Sequence, residues 1–370
     1  MRLSSALAVL ALLVSAAPAA ADDCLSAPVP PVSKPAHALR FGITPQAAGT
    51  AGAGQGSVVA EDPARALRAL RALQPRHRRL VVRLNRLFES DGQAGIHRFA
   101  KLVRHYGRAG FAVESQVRYH PSPAQEGDMA AWRSYVRAAV RGLAKHRALV
   151  ALSITNEVNL PVSANTSDGA YKGAVQAIVD GVVAARRQLV RMHRPGVRLG
   201  FTYAYRYVPS ADAQFFRDIG AAATPAFRKA LNYVGVQLYP GRFVPPVLLP
   251  GQTAGDATLD ALALVRSCLM PQAGLGRGVR LWVTENGYAT NLGHDEARQA
   301  TDLRSTLDAV HRLSGTLGVT DYRYFNLRDN RPDGTDLFDD VGLLRADYSR
   351  KPAFAAYRDA IARYGVRSRN

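Results

Sequence analysis

After its first residues the chain has no apolar run near the roughly 18 residues needed to cross a bilayer as a helix, so a helical membrane protein is excluded. Only two cysteines are present, and no His-Glu-x-x-His or clustered Cys/His spacing occurs, so neither a metal site nor a cofactor is expected. Gly-x-Ser-x-Gly, the turn that presents a hydrolase serine, is missing. Lysine is scarce as well: six lysines leave 42 arginines among the 48 basic residues. A net charge of +19 invites a nucleic-acid reading, but the arginines scatter over helical segments and no basic run is interleaved with aromatics. Nucleic acid is therefore not an expected partner. Adsorption to anionic cell-wall or plant polymers is a softer alternative.

What is present begins with an export signal. Arg2, the apolar stretch Leu7 to Val14 and Ala19-Ala-Ala21 read as basic region, hydrophobic region and cleavage site. Residues 1–21 are thus expected to be a signal peptide, 22–38 a leader and 39–370 one catalytic domain. The mature protein is expected outside the cytoplasm, extracellular or periplasmic, as a monomer with no membrane association after cleavage.

Short apolar runs alternate with longer amphipathic ones. Strands are expected at 39–44, 79–85, 111–118, 148–156, 197–203, 231–238, 279–285 and 318–326. Helices are expected near 62–74, 94–109, 127–146, 168–192, 210–227, 257–270, 294–314 and 350–364. Val175, Ile178, Val179, Val182 and Val183 carry the helical period. Strict alternation means parallel pairing, and eight units close a (β/α)8 barrel. The rival, an open doubly wound sheet, would want a Gly-rich turn after strand 1, and Gly42-Ile-Thr-Pro-Gln46 is not one. In the barrel Cys24 and Cys268 both approach the N-terminal face of the strands and could form a disulfide; two unpaired thiols are the alternative.

Function in such a barrel sits at the C-terminal strand ends. Those positions here hold Arg83 and Asn85, Arg118 and His120, Asn156 and Glu157, Tyr203 and Tyr205, Gln237 and Tyr239, Glu285, and Phe325 with Asn326. Glu157 and Glu285 each terminate an apolar run, where a carboxylate is costly unless it faces a site. Singly, Glu157 could be a strand-end carboxylate paired to an arginine, and Glu285 a turn residue before Asn286-Gly287. Trp282 has the opposite strand parity to Glu285 and is expected to face the helices; Trp132 is expected in the core.

Ile154-Thr-Asn-Glu157 and Trp282-Val-Thr-Glu-Asn-Gly287, about 130 residues apart between glutamates, resemble the two signatures of the (β/α)8 retaining glycoside hydrolases of clan A. Thr-Glu-Asn-Gly is most like family 1, whereas Val82-Arg83 and Leu238-Tyr239-Pro240 are more like families 5 and 39. The resemblance implies a secreted retaining β-glycosidase acting on oligo- or polysaccharides. Glu157 would be the acid/base and Glu285 the nucleophile of a double displacement. Asn156 would bind the sugar 2-hydroxyl, while Arg83 and Tyr239 would hold Glu285 ionised. His120, Gln237, Tyr203 and Phe325 complete the expected carbohydrate-binding set. Gln237 stands where many members carry histidine, and Phe325 where a tryptophan is common. A transglycosylase with the same glutamates, or a non-catalytic carbohydrate-binding barrel, is the alternative.

Overall fold

The computed structural model describes residues 23–26, 28–45, 59–161, 166–206, 208–243, 247–291, 293–332, 334, 336 and 338–368. The expected signal peptide, the glycine-rich stretch Gly52 to Gly56 and Tyr207 lie outside them. Strand and helix alternate as β1 (Arg40–Ile43), α1 (Pro63–Leu73), β2 (Leu80–Phe88), α2 (Gly92–Arg108), β3 (Ala112–Arg118), α3 (Met129–Ala144), β4 (Leu149–Ile154) and α4 (Ala174–Arg191). The second half continues with β5 (Arg198–Ala204), α5 (Pro209–Ala222), α6 (Pro225–Ala230), β6 (Tyr233–Gln237), α7 (Ala254–Leu264), α8 (Met270–Gln272), β7 (Arg280–Glu285), α9 (Glu296–Leu317), β8 (Val319–Tyr324) and α10 (Pro352–Tyr364). The strands form one closed parallel barrel in sequence order, β8 pairing with β1.

Local chemistry sets the element ends. Asp62 caps α1 through the backbone N–H groups of Ala64 and Arg65, both at 2.9 Å, with Pro63 where its missing N–H costs nothing. Gly318, at φ 70°, ends α9 in the left-handed conformation that a side chain would resist. The single helix expected at 210–227 is two, because Pro225 cannot continue a helix; Thr224 caps the new one at Phe227 N, 3.1 Å. Between α7 and α8, residues Val265–Leu269 form a wider π-type turn that carries Cys268. Cys268 is disulfide-bonded to Cys24, their Cα atoms 5.3 Å apart. Closing so long a loop is worth about 5 kcal/mol in the chain-entropy model.

Trp132 is buried and donates its indole N–H to Ala177 O at 2.8 Å. Trp282 departs from expectation by lying inside the barrel. Val236 pairs with Val283 but Gln237 pairs with Glu285, so Thr284 is an extra residue in β7. This bulge shifts the alternation, and Trp282 and Glu285 both point inward. The Trp282 ring stacks on Tyr233 at 3.5 Å between centroids, with the Arg323 guanidinium 5.3 Å from it. A Cβ at Gly200 would run into the Tyr233 ring, so only glycine leaves room for that stack.

Candidate active site

Glu285 ends β7 and is 8% exposed. Its Oε1 accepts from Arg83 Nη1 at 2.6 Å and from Gln237 Nε2 at 3.1 Å, and its Oε2 accepts from the Tyr239 hydroxyl at 2.8 Å. These donors come from β2, from the end of β6 and from two residues beyond it. Below Arg83 the barrel interior continues as alternating charge. Arg83 Nε lies 3.5 Å from Glu114 Oε1, Arg323 Nε donates to Glu114 Oε2 at 2.9 Å, and Arg323 Nη2 donates to Asp321 at 2.9 Å. Asp321 in turn pairs with Arg40 at the start of β1. Burial opposes the charge on Arg83, but Glu285 and Glu114 outweigh it and hold its pKa above the ordinary arginine value. The cation beside Glu285 is therefore permanent, and a buried ion in such a chain is compensated on both sides.

Glu157 has a different setting. The chain leaves β4 through two left-handed residues, Thr155 at φ 66° and Glu157 at φ 46°, a conformation that non-glycine residues adopt only when their surroundings impose it. The buried Asp168 carboxylate imposes it here. It accepts from Asn156 N at 2.8 Å, Tyr119 N at 2.9 Å and Arg118 Nε at 2.8 Å, tying the β4 end to the β3 end. Among the described residues the Glu157 carboxyl accepts one side-chain bond, a long one of 3.4 Å from Asn156 Nδ2. Burial, and then the charge of Glu285, push its pKa up to about 8. One carboxyl is thus kept protonated and the other is ringed by donors, an arrangement suited to a general acid beside a carboxylate nucleophile.

Asn156 joins the two. Its Oδ1 accepts from Gln237 Nε2 at 2.9 Å, Gln116 Nε2 at 2.9 Å and Thr202 Oγ1 at 3.3 Å. Gln237 Nε2 also reaches Glu285, so a continuous set of contacts runs from one glutamate to the other. Glu157, Glu285, Asn156, Tyr239 and Phe325 line one cleft together with Asn85, Arg86, Gln116, Arg118, Thr166 and Phe338.

The expected residues therefore divide. Glu157, Glu285, Asn156, Tyr239 and Phe325 meet at the cleft, and Arg83 and Gln237 support it from beneath. Tyr203 does not reach it. Thr202 points inward, so its neighbour Tyr203 points at the helices, fully buried against Phe215 and Phe216 with ring centroids 6.3 and 5.2 Å away. His120 is not among the lining residues; it packs on Phe88 and Tyr171 and shares a 3.0 Å hydrogen bond with Ser90. Missing from the expected set were Arg86, Gln116, Thr166 and Phe338 of the lining, and Asp168 behind it. Gln116 could have been found, since it shares strand parity with Arg118. Asp168 sits where a helix start was expected, in a short 3-10 turn at 168–170, and nothing local marks it.

No family model matches the chain, and no curated protein matches it. Its likeness is to solved structures. A family 5 (subfamily 18) glycoside hydrolase from Streptomyces cattleya, in complex with Manβ1-4GlcNAc, aligns at TM-score 0.61 and 17% identity, covering 90% of this chain and 81% of that one. A β-glucosidase from Thermotoga maritima aligns at TM-score 0.59 and 13% identity, covering 89% and 98%. A family 39 glycoside hydrolase from Bacteroides cellulosilyticus WH2 aligns at 0.55 and 13%, covering 88% and 63%. The chain shares the (β/α)8 fold of these glycoside hydrolases.

Proposed function

We propose that this protein is an exported retaining β-glycosidase in which Glu157 is the acid/base and Glu285 the nucleophile. The observation that carries the reading is the unequal environment of two carboxyls in one cleft: Glu285 is held by three donors, and Glu157 is raised to about 8 beside it. In the first step Glu157 gives its proton to the glycosidic oxygen while Glu285 attacks the anomeric carbon. In the second, Glu157 takes a proton from water, which displaces Glu285. Asn156 faces the cleft between them, where the 2-hydroxyl of a bound sugar would lie. The barrel likeness to a β-glucosidase and to a protein holding Manβ1-4GlcNAc directs the first trials to β-glucosides and β-mannosides.

The test is turnover of a panel of aryl β-glycosides and β-glycans by the purified protein, with the anomer of the first-formed product read by NMR. Release of the β-anomer is expected. The α-anomer would mean inversion, and no turnover on any substrate would leave a binding barrel. A larger oligosaccharide as main product would identify a transglycosylase.

A further inference from the structure

The arginine excess is not spread evenly over the two ends of the barrel. In a parallel barrel every helix-to-strand connection lies at the face opposite the cleft. These connections are 74–79, 109–111, 145–148, 192–197, 231–232, 273–279 and 318, together with the entering segment 28–39 and the tail 365–368. Not one of these contains an aspartate or glutamate; Asp23, beside the disulfide-bonded Cys24, precedes the entering segment. A general preference for arginine raises basic residues everywhere; it does not clear carboxylates from one set of connections. On the cleft side, the strand-to-helix connections carry acids freely, among them Glu61, Asp62, Glu126, Asp128, Asp295, Asp339 and Asp340.

The charge is concentrated in two adjoining grooves below β2–β4. One is lined by Arg76, His77, Arg78 and Arg367, and the other by Arg78, Arg79 and Arg147; Arg78 and Ser368 belong to both. Arg78 is fixed by two bonds from its guanidinium to Ala362 O. Arg76, Arg79, Arg147 and Arg367 are exposed, and among the described residues none of these four guanidiniums is ion-paired or hydrogen-bonded. Roughly 17 Å of strand separates Leu80 at this face from Asn85 at the cleft, at about 3.3 Å per residue.

We infer that this face is a docking surface for a carboxylate-bearing polysaccharide. Guanidinium forks match carboxylates in pairs, and several unpaired forks along adjoining grooves suit a chain of repeated anions better than one small ion. Among the described residues the grooves carry no exposed Phe, Tyr or Trp, since Phe111 is buried, so they lack the row of aromatics on which successive bases stack. The preference for a polysaccharide over a nucleic acid also rests on the glycosidase reading of the opposite face. Docked this way, the protein would be retained on an acidic matrix with its cleft turned outward and free.

The full chain should be retained on immobilised polygalacturonate at low salt and released as salt is raised, with little retention on neutral dextran. The triple variant Arg76→Glu/Arg79→Glu/Arg147→Glu changes only exposed side chains. It should bind polygalacturonate about tenfold or more weakly, since three attractions become three repulsions. Its turnover of a small aryl β-glycoside should match the native protein's, which separates failure of docking from failure of the glycosidase reading. Undiminished binding by the variant, equal retention on dextran, or tighter binding to duplex DNA than to polygalacturonate would each overturn the inference.

Discussion

Glu285 and Glu157 stand at the ends of strands on opposite sides of one cleft, yet their surroundings are built on opposite rules. Glu285 is the last member of a buried chain of alternating charges, Arg40, Asp321, Arg323, Glu114, Arg83 and Glu285, with Tyr239 and Gln237 adding neutral donors. Every charge there has an opposite neighbour, and Glu285 sits against the permanent Arg83 cation. Glu157 has no basic ion-pair partner among the described residues, one long hydrogen bond, and the charge of Glu285 opposing its own. The lesson is that a barrel end can give two identical side chains opposite surroundings by allotting donors to one and withholding them from the other.

Removing each carboxyl should break the comparison most visibly. Glu285→Ala should abolish turnover of all substrates, because no glycosyl-enzyme can form. Glu157→Ala should lose about 10²–10⁴-fold in kcat/KM on substrates with poor leaving groups, the usual contribution of a general acid. On dinitrophenyl glycosides, whose leaving group needs no proton, its first step should be nearly intact. Steady-state and burst kinetics of both variants on both substrate types check this, and equal losses throughout would contradict the roles.

Asp168 sharpens the other half. Asp168→Asn removes the carboxylate that fixes Asn156 N and neutralises Arg118, so kcat should fall by up to about 10²-fold through misplacement of Glu157. The charge of Arg118 would then act uncompensated on Glu157 and lower its pKa. The alkaline limb of the pH–kcat/KM profile, expected near 8 in the native protein as Glu157 loses its proton, should move to lower pH. An unmoved limb would show Asp168 to be structural only. Tyr239→Phe should cost little over tenfold in kcat, about 1.5 kcal/mol for one bond to a charged group, with KM nearly unchanged. A rise in KM alone would make Tyr239 a substrate contact instead.

The smallest effect expected concerns stability. Glu89, just past β2, is buried with neither carboxyl oxygen hydrogen-bonded, and burial, then Asp128 and Asp168, push its pKa up to about 8. A carboxyl whose folded pKa is raised stays protonated in the folded chain while the unfolded chain ionises. Its contribution to stability is therefore lost progressively as pH rises from about 4.3 toward 8. Glu89→Gln should flatten part of that decline in melting temperature; an unchanged slope would show that Glu89 is ionised or solvated.

Much of this was legible in the chain. Eight alternating runs gave the barrel, and the terminal glutamates marked the face that carries the cleft, because strand ends are marked by polar residues breaking apolar runs. Tyr203 was misassigned because its strand runs on through Ala204, which returns it to the alternation facing the helices. Trp282 was misassigned because a bulge at Thr284 has no local sequence mark. The ion chain was also out of reach. Glu114, Asp321 and Arg323 sit mid-strand, and their mutual compensation depends on which residues face each other across a closed barrel. Asp168 acts from a turn eleven residues beyond Glu157, through contacts that only the folded loop creates.

The division of roles between the two glutamates is tested most directly by the configuration of the glycosyl azide formed when azide is added to each alanine variant with a dinitrophenyl β-glycoside. Glu157→Ala keeps the nucleophile, so azide should enter from the vacated acid/base side of the glycosyl-enzyme and give the β-azide. Glu285→Ala lacks it, so azide should attack the substrate directly and give the α-azide. The same anomer from both variants, or the reverse assignment, would contradict the account.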